Sequence, residues 1–84
     1  MQEFNKHEIF WHSRRGMLEL DLLLVPFARQ VFELLSHPDQ MLYSELLEEE
    51  DQDLFTWLMQ RSPPNDPRFG PIIRQILAHN SDSN

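Results

Sequence analysis

Apolar residues recur at intervals of three and four along most of this 84-residue chain, and this periodicity limits the folds open to it. The longest stripe consists of Leu20, Leu24, Phe27, Ala28, Val31, Phe32 and Leu35. Such spacing puts apolar side chains on one side of a helix, whereas a strand needs alternating apolar and polar residues, a pattern that the sequence does not sustain. We therefore predict an all-α fold, a compact five-helix antiparallel bundle in a single domain.

Capping residues and prolines predict where the helices begin and end. The predicted helices cover residues 5–15, 17–35, 36–49 and 52–60, and a fifth begins at Asp66 with Pro67 or at Gly70 with Pro71. The side chains of Ser36 and Asp51 are placed to accept an unpaired backbone N–H at a helix start. Pro26 lies inside the second helix, where it removes an N–H and clashes with the carbonyl four residues back. We expect a kink or break near residues 22–25.

The length and charge of the chain exclude several classes of partner. One helical domain is predicted over residues 1–79, with the polar residues 80–84 as a disordered tail. The net charge of −7 disfavours nucleic acid, because binding to phosphates depends on Lys and Arg. The longest apolar run, residues 22–27, is far shorter than the roughly 20 residues that span a bilayer, and no signal-peptide pattern opens the chain. We expect neither a nucleic-acid nor a membrane partner.

The sequence offers little support for catalytic or metal chemistry. It has no cysteine, which excludes a thiolate nucleophile and fits a reducing cytoplasm, the predicted location. His7 and His12 are five residues apart, whereas a ligand pair on one helix face needs a spacing of three or four. Neither a Gly-x-Ser-x-Gly elbow nor a dinucleotide-binding glycine motif is present. We predict no catalytic residue, no metal site and no stably bound cofactor.

The first two predicted helices are joined by an unusual segment, residues 14–21, which reads RRGMLELD. Gly16 is suited to a left-handed conformation at a helix end, and the two arginines complement the negative end of the helix dipole. Glu19 falls in the first turn of the next helix, where the dipole favours an acid. Helix capping therefore explains each of these residue types locally. From the pattern alone, a purely structural role and a functional role for this segment are equally possible interpretations.

The motif Arg15-Gly16-x-x-Glu19, in a chain of this size, resembles the signature of the SdhE family of bacterial FAD assembly factors. A second block, residues 46–48 (LLE) followed by residues 51–59 (DQDLFTWLM), is similar to the acidic and aromatic segment of that family. The resemblance extends from about residue 5 to about residue 77. It is weakest at residues 63–71, where the last helix begins with more prolines than the family pattern suggests.

The resemblance implies a non-catalytic, chaperone-like assembly factor. Such a factor would bind the flavoprotein subunit of succinate dehydrogenase and promote covalent attachment of FAD to a client histidine, with the related fumarate reductase flavoprotein as a further candidate client. FAD would belong to the client, and we expect a monomer. Arg15 would pair with a client carboxylate or carbonyl, Gly16 would permit close approach, and Glu19 would orient Arg15 or accept from a client donor. The implied partner-binding residues are Arg14, Arg15, Gly16, Met17, Glu19 and Asp21.

An acidic run supports a different reading of the same helical bundle. It consists of Glu45, Glu48, Glu49, Glu50, Asp51 and Asp53. Such a run is usually a solvated helix junction, but it could also engage a basic partner surface, with Trp57 or Trp11 as an anchor. The alternative is therefore a helical protein-interaction or antitoxin-like regulatory module that uses its acidic face. Charge reversal at Glu48 and Glu49 would then harm function more than changes at Arg15 and Glu19.

Overall fold

A computed structural model of the protein describes residues 5–82, and these residues form five α-helices. The helices are α1 (Lys6–Ser13), α2 (Leu18–Gln30), α3 (His37–Leu46), α4 (Asp51–Leu58) and α5 (Phe69–Asp82), with a 3₁₀ turn (Phe32–Leu34) between α2 and α3. No strand occurs within residues 5–82, and the prediction of an all-α five-helix bundle is confirmed. Over the same residues, no helix is long and apolar enough to cross a membrane.

Helix α2 is the central element of the bundle, because it packs against α1, α4 and α5. Its stripe forms the middle of the core: Leu20, Leu24 and Phe27 are completely buried. Helix α5 buries Phe69, Ile72, Ile73 and Ile76 against α2, α3 and α4 in the same way. The apolar core as a whole consists of Ile9, Leu20, Leu23, Leu24, Phe27, Ala28, Phe32, Tyr43, Leu46, Leu47, Leu54, Trp57, Leu58, Phe69, Ile72, Ile73 and Ile76.

A buried polar link fixes α1 against α2 and α3. Ser13 is fully buried, and its hydroxyl donates to the Ile9 carbonyl at 2.7 Å. The Tyr43 hydroxyl lies 2.6 Å from Ser13 Oγ and 3.3 Å from the Leu24 carbonyl. Burial raises the pKa of Tyr43, since the charged form would lose its hydration. Because an unpaired buried hydroxyl is costly, these bonds select one register of the three helices.

The structure differs from the sequence prediction around α2. The predicted helix through residue 35 ends at Gln30, and the chain continues as a 3₁₀ turn in which the Leu34 N–H bonds to the Val31 carbonyl. Pro26 does not break α2, which runs without interruption on both sides of it. The carbonyl that loses its partner belongs to Leu22, a residue 60% exposed, so water can replace the missing N–H.

The ends of three other helices also differ from the prediction. Helix α1 ends at Ser13 and α3 at Leu46, both earlier than predicted. Asp51 is the first residue of α4 and not its cap: Glu50 takes the cap position, without a side-chain bond. The predicted cap at Ser36 is confirmed, with the Asp39 N–H donating to its Oγ at 3.3 Å.

The last helix begins and ends differently from the prediction. It starts at Phe69, between the two predicted starts, after a turn in which the Arg68 N–H bonds to Asp66 Oδ1 at 3.0 Å. It continues through Asp82 and so includes residues 80–82 of the predicted disordered tail. The remaining two residues of that tail, and residues 1–4 of the predicted domain, lie outside the described part of the chain.

Candidate functional site

The link between α1 and α2, residues 14–17, carries the candidate site. Gly16 has φ = +82°, a left-handed conformation that favours glycine over any other residue. A Cβ added at Gly16 would meet no atom within 4 Å. The backbone conformation therefore accounts for the glycine, and the space on its outer side is open.

The Arg15 side chain ties this link to the segment between α3 and α4. Its Nε donates to Asp51 Oδ1 at 2.7 Å, and its Nη1 donates to the carbonyls of His12 and Leu47 at 3.0 and 2.8 Å. Its Nη2 donates to the Glu49 carbonyl at 3.0 Å. Only 15% of the side chain is exposed. The guanidinium thus makes its charge-assisted bonds inside the molecule and is not available to a partner in this conformation.

Two further predicted residues, Met17 and Asp21, also serve the framework of the link. Asp21 Oδ1 accepts the backbone N–H of Arg15 at 2.6 Å, which fixes the chain just before Gly16. The Met17 carbonyl accepts the Asp21 N–H at 2.9 Å and so begins the hydrogen bonding of α2. The Met17 side chain is half-buried against the core. Arg15, Met17 and Asp21 therefore hold the shape of the link.

Three other predicted residues, Arg14, Gly16 and Glu19, are exposed. The Arg14 guanidinium lies over the Trp11 ring, 5.4 Å from its centre, and has no carboxylate within 4.0 Å among residues 5–82. The Glu19 carboxylate makes no hydrogen bond or ion pair within the same residues. The role of orienting Arg15, predicted for Glu19, is performed by Asp51 at the side chain and by Asp21 at the backbone.

Sequence reasoning missed two leucines beside Glu19. Leu18 is 69% exposed and Leu22 is 60% exposed, and they lie one turn apart on α2. A signal was available, because both residues fall outside the buried stripe of that helix. We use the name exposed corner for Arg14, Gly16, Leu18, Glu19 and Leu22. It combines an open backbone turn, an apolar pair and two charges of opposite sign.

The acidic run does not form one uniform surface. Asp51 is paired with Arg15, and Glu45 is paired with Arg68 at 3.1 Å. Trp57 is 4% exposed and belongs to the core, whereas Trp11 is 52% exposed. No group of three His, Asp or Glu side chains within residues 5–82 is arranged to hold a metal ion.

These features define a class of protein: a small all-α scaffold whose candidate site is a preformed turn on its surface. The chain belongs to the family described as flavinator of succinate dehydrogenase (Sdh5), which matches residues 7–80. The family resemblance predicted from the sequence is thereby confirmed.

The relatives and a solved structure agree with this assignment. The FAD assembly factor SdhE of Pseudomonas aeruginosa is 54% identical over 82% of each chain. That of Pseudomonas putida is 48% identical over 92% of each chain. The solution structure of a UPF0350 protein is similar at 34% identity and a TM-score of 0.74, covering 96% of this chain and 89% of the other. The relatives are named as assembly factors, and the prediction of a protein that is not itself an enzyme is confirmed by the family.

Proposed function

We propose that this protein binds the flavoprotein subunit of succinate dehydrogenase and promotes covalent attachment of FAD to a histidine of that subunit. The flavoprotein of fumarate reductase is a further candidate client. In this proposal FAD belongs to the client, and the protein holds no cofactor stably and acts as a monomer in the cytoplasm. Family membership and the names of the relatives support this reading.

The observation that carries the proposal is the exposed corner itself. A partner backbone can approach Gly16 closely, because among the described residues no atom beyond its two chain neighbours lies within 4 Å of a Cβ placed there. Leu18 and Leu22, one helical turn apart, offer exposed apolar contact area to a partner. The Glu19 carboxylate can accept from a client donor without breaking an internal bond. Together these groups provide apolar area and hydrogen-bonding capacity on one face.

Arg15 has a positioning role in this proposal. Its bonds to Asp51, Leu47 and Glu49 hold the link rigidly before a client arrives, so little ordering is left to pay for on binding. Met17 and Asp21 contribute in the same way. A rigid corner can align a client histidine with the flavin site, and alignment of reacting groups lowers the entropic part of a barrier. The bond to FAD forms within the client.

Covalent flavin on the client, measured as in-gel fluorescence of the denatured flavoprotein subunit, tests the proposal. Wild-type protein should raise the fluorescence, whereas Gly16→Arg should leave it at the level seen without the factor. Ala78→Arg adds the same side chain on an exposed part of α5 and should behave as wild type. Asparagine tolerates a left-handed conformation, so Gly16→Asn should fold normally. If this variant loses activity while its circular dichroism spectrum is unchanged, the loss is one of docking and not of folding. Equal fluorescence with every variant and without the factor refutes the proposal.

The same assay tests the acidic face. Glu48 is exposed, and Glu49 engages Arg15 only through its backbone carbonyl. A Glu48→Lys, Glu49→Lys double variant should therefore retain flavinylation. If this variant loses activity while the Gly16 variants retain it, the partner surface lies on the acidic run instead of the exposed corner.

A further inference from the structure

An open groove of about 670 Å³ lies between the end of α4, the loop that follows and α5. Its floor is apolar: Trp57 and Ile73 are buried beneath it, and Leu77 is half-buried. The groove is at the opposite end of α4 from Asp51, the residue that anchors Arg15. Because α4 has eight residues and each adds about 1.5 Å, the two ends are roughly 12 Å apart. The groove is thus a surface separate from the exposed corner.

The groove is cationic on a protein that is strongly acidic overall. The chain has 14 acidic and 7 basic residues, yet no Asp or Glu lines the groove. Arg61 and Arg74 stand at its rim, both exposed, and neither has a carboxylate within 4.0 Å among residues 5–82. The Arg61 guanidinium lies over the Phe55 ring, 5.3 Å from its centre, and this contact restrains its plane. Both cations are therefore available to an anionic partner.

A strained residue lies at the same rim. Gln60 has φ = +60°, a left-handed conformation that glycine usually occupies at the end of a helix. The Arg61 N–H bonds to the Thr56 carbonyl at 2.9 Å, which closes the last turn of α4 around Gln60. The Gln60 side chain is exposed and has no hydrogen-bond partner within residues 5–82. Residues other than glycine in such a conformation cluster at binding and switch sites, so the strain directs attention to this side chain.

We infer that this groove docks an acidic segment of a partner protein, in which Asp or Glu residues flank apolar side chains. The apolar floor of Trp57, Ile73 and Leu77 would take the apolar side chains of the segment. Arg61 and Arg74 would pair with its carboxylates, and the Gln60 amide would bond to its backbone. Charge complementarity selects this occupant, because the groove is a cationic and apolar site on an otherwise anionic molecule. The inference does not depend on the exposed corner or on flavinylation.

A displayed library of random 12-residue peptides, selected on the full-length protein, tests the inference. The selected peptides should be enriched in Asp and Glu together with aliphatic or aromatic residues. Arg61→Glu and Arg74→Glu should each weaken binding of those peptides about tenfold, the effect expected when a charge-assisted bond is lost. Peptides without acidic enrichment, or with unchanged affinity for both variants, would overturn the inference.

Arg29→Glu is the matched control. Arg29 is exposed, has no carboxylate within 4.0 Å among the described residues and lies over the Phe10 ring at 4.9 Å, much as Arg61 lies over Phe55. It does not line the groove but a different surface depression, together with Phe10 and Trp11. This variant should bind the selected peptides as wild type does. If Arg29→Glu weakens peptide binding as much as the groove variants do, the effect is one of overall charge, and the inference is contradicted. A competition experiment adds a second test. If a 12-nucleotide single strand displaces the bound peptide more strongly than free peptide does, the groove binds nucleic acid, which also contradicts the inference.

Discussion

Replacement of Arg15 by alanine separates a positioning role from direct contact with a client. In the structure the guanidinium donates to Asp51 and to the carbonyls of His12, Leu47 and Glu49. Arg15→Ala removes all of these bonds at once. If the residue holds the corner in place, the variant must be less stable even when no client is present.

The expected loss follows from the exposure of the groups that are left behind. The Asp51 side chain is 40% exposed and His12 is exposed, so water can take the place of the arginine at both. Leu47 is 2% exposed, and its carbonyl is left without a partner, which costs about 1–3 kcal/mol. With smaller losses at the other acceptors, we expect a total of about 2–4 kcal/mol. A domain of this size loses about 4–8 °C in Tm for each kcal/mol, so the melting point should fall by roughly 8–32 °C.

Urea denaturation followed by circular dichroism measures this loss. Arg14→Ala is the control, because Arg14 is exposed and its guanidinium lies over the Trp11 ring, an interaction worth about 0.5–1 kcal/mol. The positioning role predicts a large difference in unfolding free energy between the two variants. If Arg15→Ala is as stable as Arg14→Ala, within about 0.5 kcal/mol, and still fails in flavinylation, the reasoning is refuted and Arg15 is a direct client contact.

Two further predictions concern stability. Gln60→Gly should raise the unfolding free energy by about 0.5–1 kcal/mol, because relief of the left-handed strain exceeds the added entropy of the unfolded chain. Gln52→Gly, in the first turn of α4, should lower the unfolding free energy. Urea midpoints measure both changes, and a loss of stability at both positions contradicts the argument. Burial raises the pKa of Tyr43, so above about pH 10 only the unfolded chain ionises there, and stability should fall by up to about 1.4 kcal/mol per pH unit. Tyr43→Phe should remove that contribution to the slope between pH 9 and 11, and an unchanged slope would show that Tyr43 does not cause it.

Helices and core could be predicted from the sequence because burial imposes a period. All residues of the predicted stripe from Leu20 to Leu35 are buried or half-buried in the structure. Helix ends were predicted less well, since competing local bonds decide them. Asp51 shows the reason. Aspartate often caps a helix, but the carboxylate of Asp51 bonds to an arginine 36 residues earlier in the chain. Distant partners of this kind are not encoded in any local spacing.

The candidate site was predicted in part for the same reason. The sequence identified residues 14–21 as a corner, and the left-handed Gly16 was predicted from helix capping. It did not distinguish inward from outward side chains. Arg15 and Asp21 form hydrogen bonds within the protein, while Leu18 and Leu22 face solvent. That distinction depends on how α2 is rotated against its neighbours, which is set by packing of the whole bundle.

The bonds from Arg15 also determine when, during synthesis, the exposed corner can become rigid. Arg15 leaves the ribosome before its acceptors Leu47, Glu49 and Asp51, which follow 32 to 36 residues later. A growing or truncated chain therefore contains the motif before it has the rigid surface. Only chains that extend through Asp51, the first residue of α4, can form these bonds, so a shorter chain carries the motif without the rigid link.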